Sequence, residues 1–271
     1  MLQSKPIHHC LHFIIFFALA LGACTAASSP TSPAPDRESL IPAAQSKISP
    51  DSDIYPPRSV TAEYAQPVPL PYPINTAGAE DSAFITPDGG TLYVWFTPDV
   101  SQPPEKQLLD GVTGIYAFYR QGDGWSPAER LLLQDPGKLA LDGCEFVQGN
   151  VIWFCSAREG YAGINWFTAV DQDGAWQEWQ PAGFDPALEV GELHISADGS
   201  QLFYHSSRAG GQGGLDIWLS RRVGGVWQPP ENVTAVNTAG DEGWPFLTPD
   251  GSQLWFTRLS GAPELHRSLW V

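Results

Sequence analysis

Positive charge is scarce in this chain. Its 271 residues carry 14 Lys and Arg against 30 Asp and Glu, a formal net charge of −16. A surface this acidic repels phosphate backbones, which argues against nucleic acid as a partner. It repels anionic lipid headgroups too, so any membrane attachment needs something other than a basic patch. Cysteine is rarer still, at four residues. Apolar runs are short: the longest begins at Leu11 and covers roughly a dozen residues, fewer than the ~20 that a spanning helix needs. The sequence has no Gly-rich phosphate loop, no nucleophile elbow and no His-Glu-x-x-His pattern. The usual signatures of nucleotide, serine-hydrolase and zinc-peptidase chemistry are therefore missing.

What is present points to β structure. Apolar residues make up 42% of the chain, enough for a core, and 11 Trp, 27 Gly and 25 Pro suit strands joined by short turns. A repeat organises the whole. Residues 74–92 read INTAGAEDSAFITPDGGTL and residues 236–254 read VNTAGDEGWPFLTPDGSQL, a gapless match at an offset of 162 residues. Such self-similarity fixes architecture before any side chain is given a role.

Four related units follow one another. The first runs from Glu80 through ITPDGGTLYVWF, an inserted loop near 99–113, and GIYAFYRQGDGW. The second is degenerate, with CEFVQGNVIWFC and then GINWFTAVDQDGAW; the third runs from Glu192 and the fourth from Glu242 to the end. Asp-Gly or Gly-Asn turns between alternating apolar runs are hairpin signals. Four strands per ~50-residue unit describe a propeller blade. The fourth unit stops after its third strand, while residues 64–78 align with 226–240, the outer strand of the third unit and the approach to the fourth. The sequence therefore predicts an all-β chain forming a four-bladed β-propeller closed by an N-terminal strand, which would cover an exposed edge. A five-bladed ring is the alternative if 99–145 conceals a further blade.

These motifs carry a resemblance. An acid before a strand, Pro-Asp-Gly at the turn, Leu-aromatic-aromatic, Gly213-Gly214-Leu215-Asp216-Ile217-Trp218 and Gly-x-Trp before Pro-Pro resemble the WD40-like β-propeller repeats of the TolB type. The resemblance covers about 60–271 and implies a propeller of a bacterial periplasmic or surface protein, with no common chemistry. At the start, residues 1–23 read as a signal peptide, and Leu21-Gly22-Ala23-Cys24 resembles the lipobox of bacterial lipoproteins. That implies cleavage before Cys24 and its acylation, an anchor of two or more chains. An ordinary signal peptide containing a cysteine is the alternative. Position 25 is Thr rather than Asp, so no inner-membrane retention signal is visible. Residues 24–58, rich in Ala, Ser, Thr and Pro, read as a flexible tether, leaving 59–271 as the propeller domain.

Cys144 and Cys155 are the cysteines of that domain. A two-residue turn at Gly149-Asn150 places them opposite each other, ~4.5–5.5 Å apart and within disulfide range. The alternative is two buried free thiols, and a turn one residue earlier would place Cys144 opposite Trp153. Acids recur just before the first strand of each unit: Glu80 and Asp81, Asp142 and Glu145, Glu189 and Glu192, Asp241 and Glu242. First strands line a propeller's channel, so these acids are expected at one mouth. There they would bind a cation or sugar hydroxyls, or work as the acid and base of glycoside hydrolysis. The plainer reading is that they hydrogen-bond turn backbone between blades. His194 and His205 have no nucleophile beside them and read as core or solvated. Asp171-Gln172-Asp173-Gly174 reads as a turn rather than a calcium loop. Trp125, Trp176 and Trp227 read as core.

The expected protein is thus an extracytoplasmic, lipid-anchored binding or scaffold module of the cell envelope. It is expected to be monomeric and to recognise a protein or glycan. It needs no cofactor and no dedicated metal, although a divalent cation at the acids is compatible. The rival reading is a propeller hydrolase.

Overall fold

The structure, a computed structural model, describes residues 36–270 apart from Tyr55, Val60 and 261–265. The leader and Cys24 lie outside the described residues. Seventeen strands are present among them, and helical structure is limited to 3-10 turns at Arg37–Leu40 and Pro186–Leu188 and one short helix, α1 (Pro104–Gln107). No helix among the described residues is long and apolar enough to cross a membrane.

The strands form four antiparallel sheets in chain order. The first holds β1 (Ala79–Ile85), β2 (Thr91–Thr97) and β3 (Gly114–Gln121), with β4 (Gly124–Trp125) and β5 (Glu129–Arg130) both pairing with β3. The second is β6 (Ala140–Gln148), β7 (Val151–Arg158), β8 (Asn165–Gln172) and β9 (Ala175–Pro181). The third repeats the first, with β10 (Leu193–Ile195), β11 (Gln201–Ser206), β12 (Asp216–Val223), β13 (Val226–Trp227) and β14 (Glu231–Asn232). The fourth has β15 (Asp241–Leu247), β16 (Leu254–Ser260) and β17 (His266–Trp270). Asp88-Gly89, Gly149-Asn150, Asp198-Gly199 and Asp250-Gly251 each close the hairpin between the first two strands of their sheet, and Asp173-Gly174 closes the one between β8 and β9. The cause is local. Thr86 Oγ donates to Asp88 Oδ1 at 2.6 Å and Thr248 Oγ to Asp250 Oδ1 at 2.6 Å, while Gly89 and Gly251 take left-handed φ of 68° and 71° at no side-chain cost.

The innermost strands of the second and fourth sheets lie over the sheet before them: β6 packs on β1, β2 and β3, and β15 on β10, β11 and β12, while β10 meets β6. The largest core cluster accordingly spans the first three sheets, with Ile115, Leu133, Ile152, Phe154, Phe167, Leu202 and Tyr204 nearly or wholly buried. Each such side chain contributes about 1.5–3 kcal/mol on burial.

Three innermost strands share an irregularity. Pairing shifts by one residue between Asp81 and Phe84, between Gly143 and Phe146, and between Gly243 and Phe246. At each bulge one non-glycine residue is left-handed: Ser82 (φ 51°), Cys144 (φ 56°) and Trp244 (φ 53°). A bulge re-aims the side chains beside it. It also alters the geometry of the cysteine pair. The bond between Cys144 and Cys155 is present, with Cα atoms 5.3 Å apart, but Cys155 pairs across the ladder with Gly143, so Cys144 reaches it diagonally.

Two expectations need correcting. No strand forms within 61–78, so the closing strand expected there is absent. Pro67, Pro69, Pro71 and Pro73 fall at every second residue and remove the N–H donors from one whole edge, and a ladder cannot form without them. The segment still passes the fourth sheet: the Tyr64 ring meets Trp255 edge-on at 4.9 Å. Second, part of the expected tether lies on the first sheet. Arg37 is only 4% exposed, its guanidinium 4.6 Å from the centroid of the Phe96 ring. Its Nη2 donates to the carbonyls of Pro73 and Ile74. Lys47 donates to the Gly78 carbonyl at 3.0 Å and pairs with Glu80.

Candidate functional site

The four innermost strands put equivalent residues side by side. Phe84, Phe146, His194 and Phe246 come one from each sheet. Phe84 meets Phe146 at 5.2 Å, Phe146 meets His194 at 4.7 Å, and His194 meets Phe246 at 4.8 Å, each pair edge-on. Edge-to-face geometry adds about 0.5–1.5 kcal/mol per pair beyond burial. These four rings line two separate cavities and so form a plug between them.

The cavity on the bulge side has a volume of 270 Å3 and is lined by Asp81, Ser82, Cys144, Glu145, Glu192 and Trp244, among others. Three of the eight expected acids are therefore brought together: Asp81, Glu145 and Glu192. Glu145 is the unusual one. It is 5% exposed, and neither carboxylate oxygen has a hydrogen-bond partner. Burial, with the nearby charges of Glu192 and Asp81, pushes its carboxyl well above the usual range, and approaching backbone N–H groups of Glu145 and Trp95 offset this only in part. Burial of a carboxyl favours its protonated form. The cavity thus contains an acid whose burial favours the protonated form beside two further carboxyl groups. Such a set can donate a hydrogen bond to a neutral ligand, or ionise to meet a cation.

The other five acids serve elsewhere. Glu242 is fully buried, accepts from Arg258 Nε at 2.7 Å and from the Thr238 N–H at 2.8 Å. Glu80 repeats this clamp in the first sheet, accepting from the Thr76 N–H at 3.1 Å and its hydroxyl at 2.6 Å. The strand position facing it is Phe96, where the fourth sheet has Arg258. The missing cation comes from outside the sheet: Lys47 pairs with Glu80, and Arg37 reaches the Ile74 carbonyl as Arg258 reaches that of Val236. Asp142 is buried against Arg158 at 2.8 Å and Ser156 at 2.6 Å. Asp241 accepts from the Leu215 N–H at 2.8 Å. Glu189 is exposed, left-handed at φ 51°, and ends the 3-10 turn Pro186–Leu188.

His194 is buried, as the core reading expects, and His205 is partly buried. His205 wedges between two backbones: Trp244 N–H points at its Nδ1 at 3.2 Å and Glu192 N–H at its Nε2 at 3.4 Å. A neutral imidazole accepts at one nitrogen only, and the shorter contact makes Nδ1 the acceptor. Glycine is required beside it, since a Cβ at Gly191 would lie 2.3 Å from the ring. Burial lowers both histidines to about 4. Asp171 accepts from the Gly174 N–H at 2.8 Å in an ordinary turn. Among the described residues no three His, Cys, Asp or Glu side chains are placed to hold a metal ion.

Sequence reasoning grouped Glu145 with the other acids and missed its difference from them. At its repeat position the other units carry Ala83, Leu193 and Pro245. The signal was an acid in an apolar column.

No protein-family model matches the chain, and no curated protein matches it in sequence. Solved structures do. A protein assigned as TolB from Agrobacterium tumefaciens is 17% identical over 68% of this chain, with a TM-score of 0.40. This chain spans 58% of that protein's length. The endo-arabinase from Bacteroides thetaiotaomicron is 16% identical, covering 66% of this chain and 69% of its own, with a TM-score of 0.41. The α-L-arabinofuranosidase from Lactobacillus brevis is 11% identical, covering 71% and 70%, with a TM-score of 0.33. The chain is similar to these proteins at low identity.

Proposed function

We propose that this chain is a four-bladed propeller that works as a non-catalytic binding module of the bacterial cell envelope. It recognises a protein or glycan at the cavity lined by Asp81, Glu145 and Glu192. In this reading the chain is exported, anchored through acylated Cys24, and holds its propeller away from the membrane. The observation that carries the reading is Glu145. A buried carboxyl left without a partner costs about 1–3 kcal/mol, and a ligand that supplies the partner recovers it. The cavity volume of 270 Å3 suits one sugar ring or one long side chain rather than a large cofactor.

The test is a thermal-shift series on the full-length chain in detergent, against common glycans, peptidoglycan fragments and divalent cations. A ligand at 100 times its dissociation constant adds about 2.7 kcal/mol of stability. The shift is expected to disappear in Glu145→Gln or Asp81→Asn while both variants remain folded. A ligand whose shift survives in both would move the site elsewhere. A second reading, a glycosidase-like hydrolase, is favoured by one feature: a proton-holding carboxyl shares a cavity with two others, as acid and base do in glycoside hydrolysis. Release of nitrophenol from aryl glycosides, abolished by Glu145→Gln, would establish that reading over simple binding.

A further inference from the structure

The plug of four rings has a second side, and its chemistry is the opposite. The cavity there has a volume of 440 Å3, within the ~300–1,000 Å3 usual for ligand sites. Beyond the plug its wall is Ile85, Val147, Ile195 and Leu247, one residue from each innermost strand. Pro87, Gly149, Ala197 and Pro249 form the lip. Ile85 is 43% exposed, a large apolar side chain left facing water at the opening.

The next residue after each lip position is Asp88, Asn150, Asp198 or Asp250, all exposed. Hydroxyls of Thr86, Ser196 and Thr248 hold the three aspartates at 2.6 Å in the hairpin turns. No basic side chain among the described residues pairs with any of them. Arg120 and Arg222, whose backbone N–H groups donate to the Gly90 and Ser200 carbonyls beside two of these turns, are stacked on Trp125 and Trp227 instead, at 4.5 Å and 5.4 Å. The mouth is therefore an apolar hole inside a fixed acidic rim.

We infer that this mouth binds an aromatic or aliphatic side chain of a partner protein, presented on a segment with Lys or Arg on either side. The apolar wall takes the central side chain, and Asp88, Asp198 and Asp250 face the flanking cations. Other occupants fit less well. A fatty acid would bring a carboxylate to an acidic rim. A second copy of the chain, with a net charge of −16 and the same rim, repels itself. The rim also predicts fast, salt-sensitive association.

The test uses a synthetic peptide, acetyl-Lys-Lys-X-Lys-Lys-amide with p-benzoylphenylalanine at X, photo-crosslinked to the full-length chain and mapped by mass spectrometry. Crosslinks are expected at residues 85–87, 195–197 and 247–249. The version with phenylalanine should compete, whereas versions with alanine at X, or with glutamate in place of the lysines, should not. Ala197→Trp, which fills the lip, should weaken labelling about tenfold or more. Asp198→Asn with Asp250→Asn, which keeps the turn acceptors, should weaken it about three- to tenfold and flatten its salt dependence. If circular dichroism finds Ala197→Trp unfolded, Ile85→Lys takes its place. Crosslinks around Ser82 and Trp244, equal competition by the alanine peptide, or full labelling of the filled-lip variant would overturn the inference. So would sedimentation showing a dimer that Ala197→Trp dissolves.

Discussion

At Glu145 the chain places a carboxyl where its other repeats place Ala83, Leu193 and Pro245, and the consequence is readable in pH. In the folded protein this group holds its proton well above the usual range because it is buried; in the unfolded chain it ionises normally. Above about pH 4.5 the unfolded state therefore binds fewer protons than the native one, and stability falls as pH rises toward the folded value. Glu145→Gln removes that dependence. Relative to the parent, its melting temperature should rise as pH rises above about 4.5. A gap that narrowed with pH would refute the assignment. His194 shows the converse sign. Burial lowers it to about 4, so between pH 6.5 and 4 the unfolded state binds more protons and stability falls as pH falls. His194→Phe completes a ring of four phenylalanines. Relative to the parent it should gain stability on going from pH 7 to pH 4, by roughly 3 kcal/mol at most. Urea titrations at the two pH values measure this directly.

At the scale of elements, the second sheet combines a bulge with a disulfide. The bulge turns Cys144 left-handed and offsets it from Cys155, and the bond joins residues separated by 11 positions in sequence. Closing so short a hairpin contributes about 2–3 kcal/mol. The double variant Cys144→Ala, Cys155→Ala should lose that much in equilibrium unfolding, and Cys144 and Cys155 of the parent should take up no alkylating reagent until reduced. Glu145 adjoins Cys144 on the same bulge, so the double variant should also narrow the effect of Glu145→Gln on the pH profile. The turns, by contrast, need nothing beyond their own residues. Thr-Pro-Asp-Gly supplies a hydroxyl, a fixed φ, an acceptor and a left-handed glycine within four positions. That is why the hairpins of the first and fourth units are legible from local sequence.

For the molecule as a whole, the segment 36–47 is a structural part of the first sheet. Arg37 and Lys47 together take the place that Arg258 holds in the fourth sheet. A buried guanidinium with carbonyl acceptors and three aromatic rings around it contributes about 2–3 kcal/mol. Arg37→Ala should cost that much, and a chain beginning at residue 59 should melt lower than one beginning at residue 34 by at least as much. Equal melting of the two would show the segment to be dispensable. Sequence alone determined the all-β class, the four units and their hairpins, because turn chemistry and alternating apolar positions act over a few residues. It also brought Cys144 and Cys155 within reach of each other, because a two-residue turn sets the register. Tertiary structure decided the rest. Whether an acid faces a cavity or a clamp depends on a bulge and on which cation lies nearby, and that cation can come from far along the chain, as Lys47 does for Glu80. Asp81, Glu145 and Glu192 were distinguished from five similar acids only when four sheets met around one cavity. Burial and long-range partners set the chemistry of a carboxyl, and neither is a local property of the sequence.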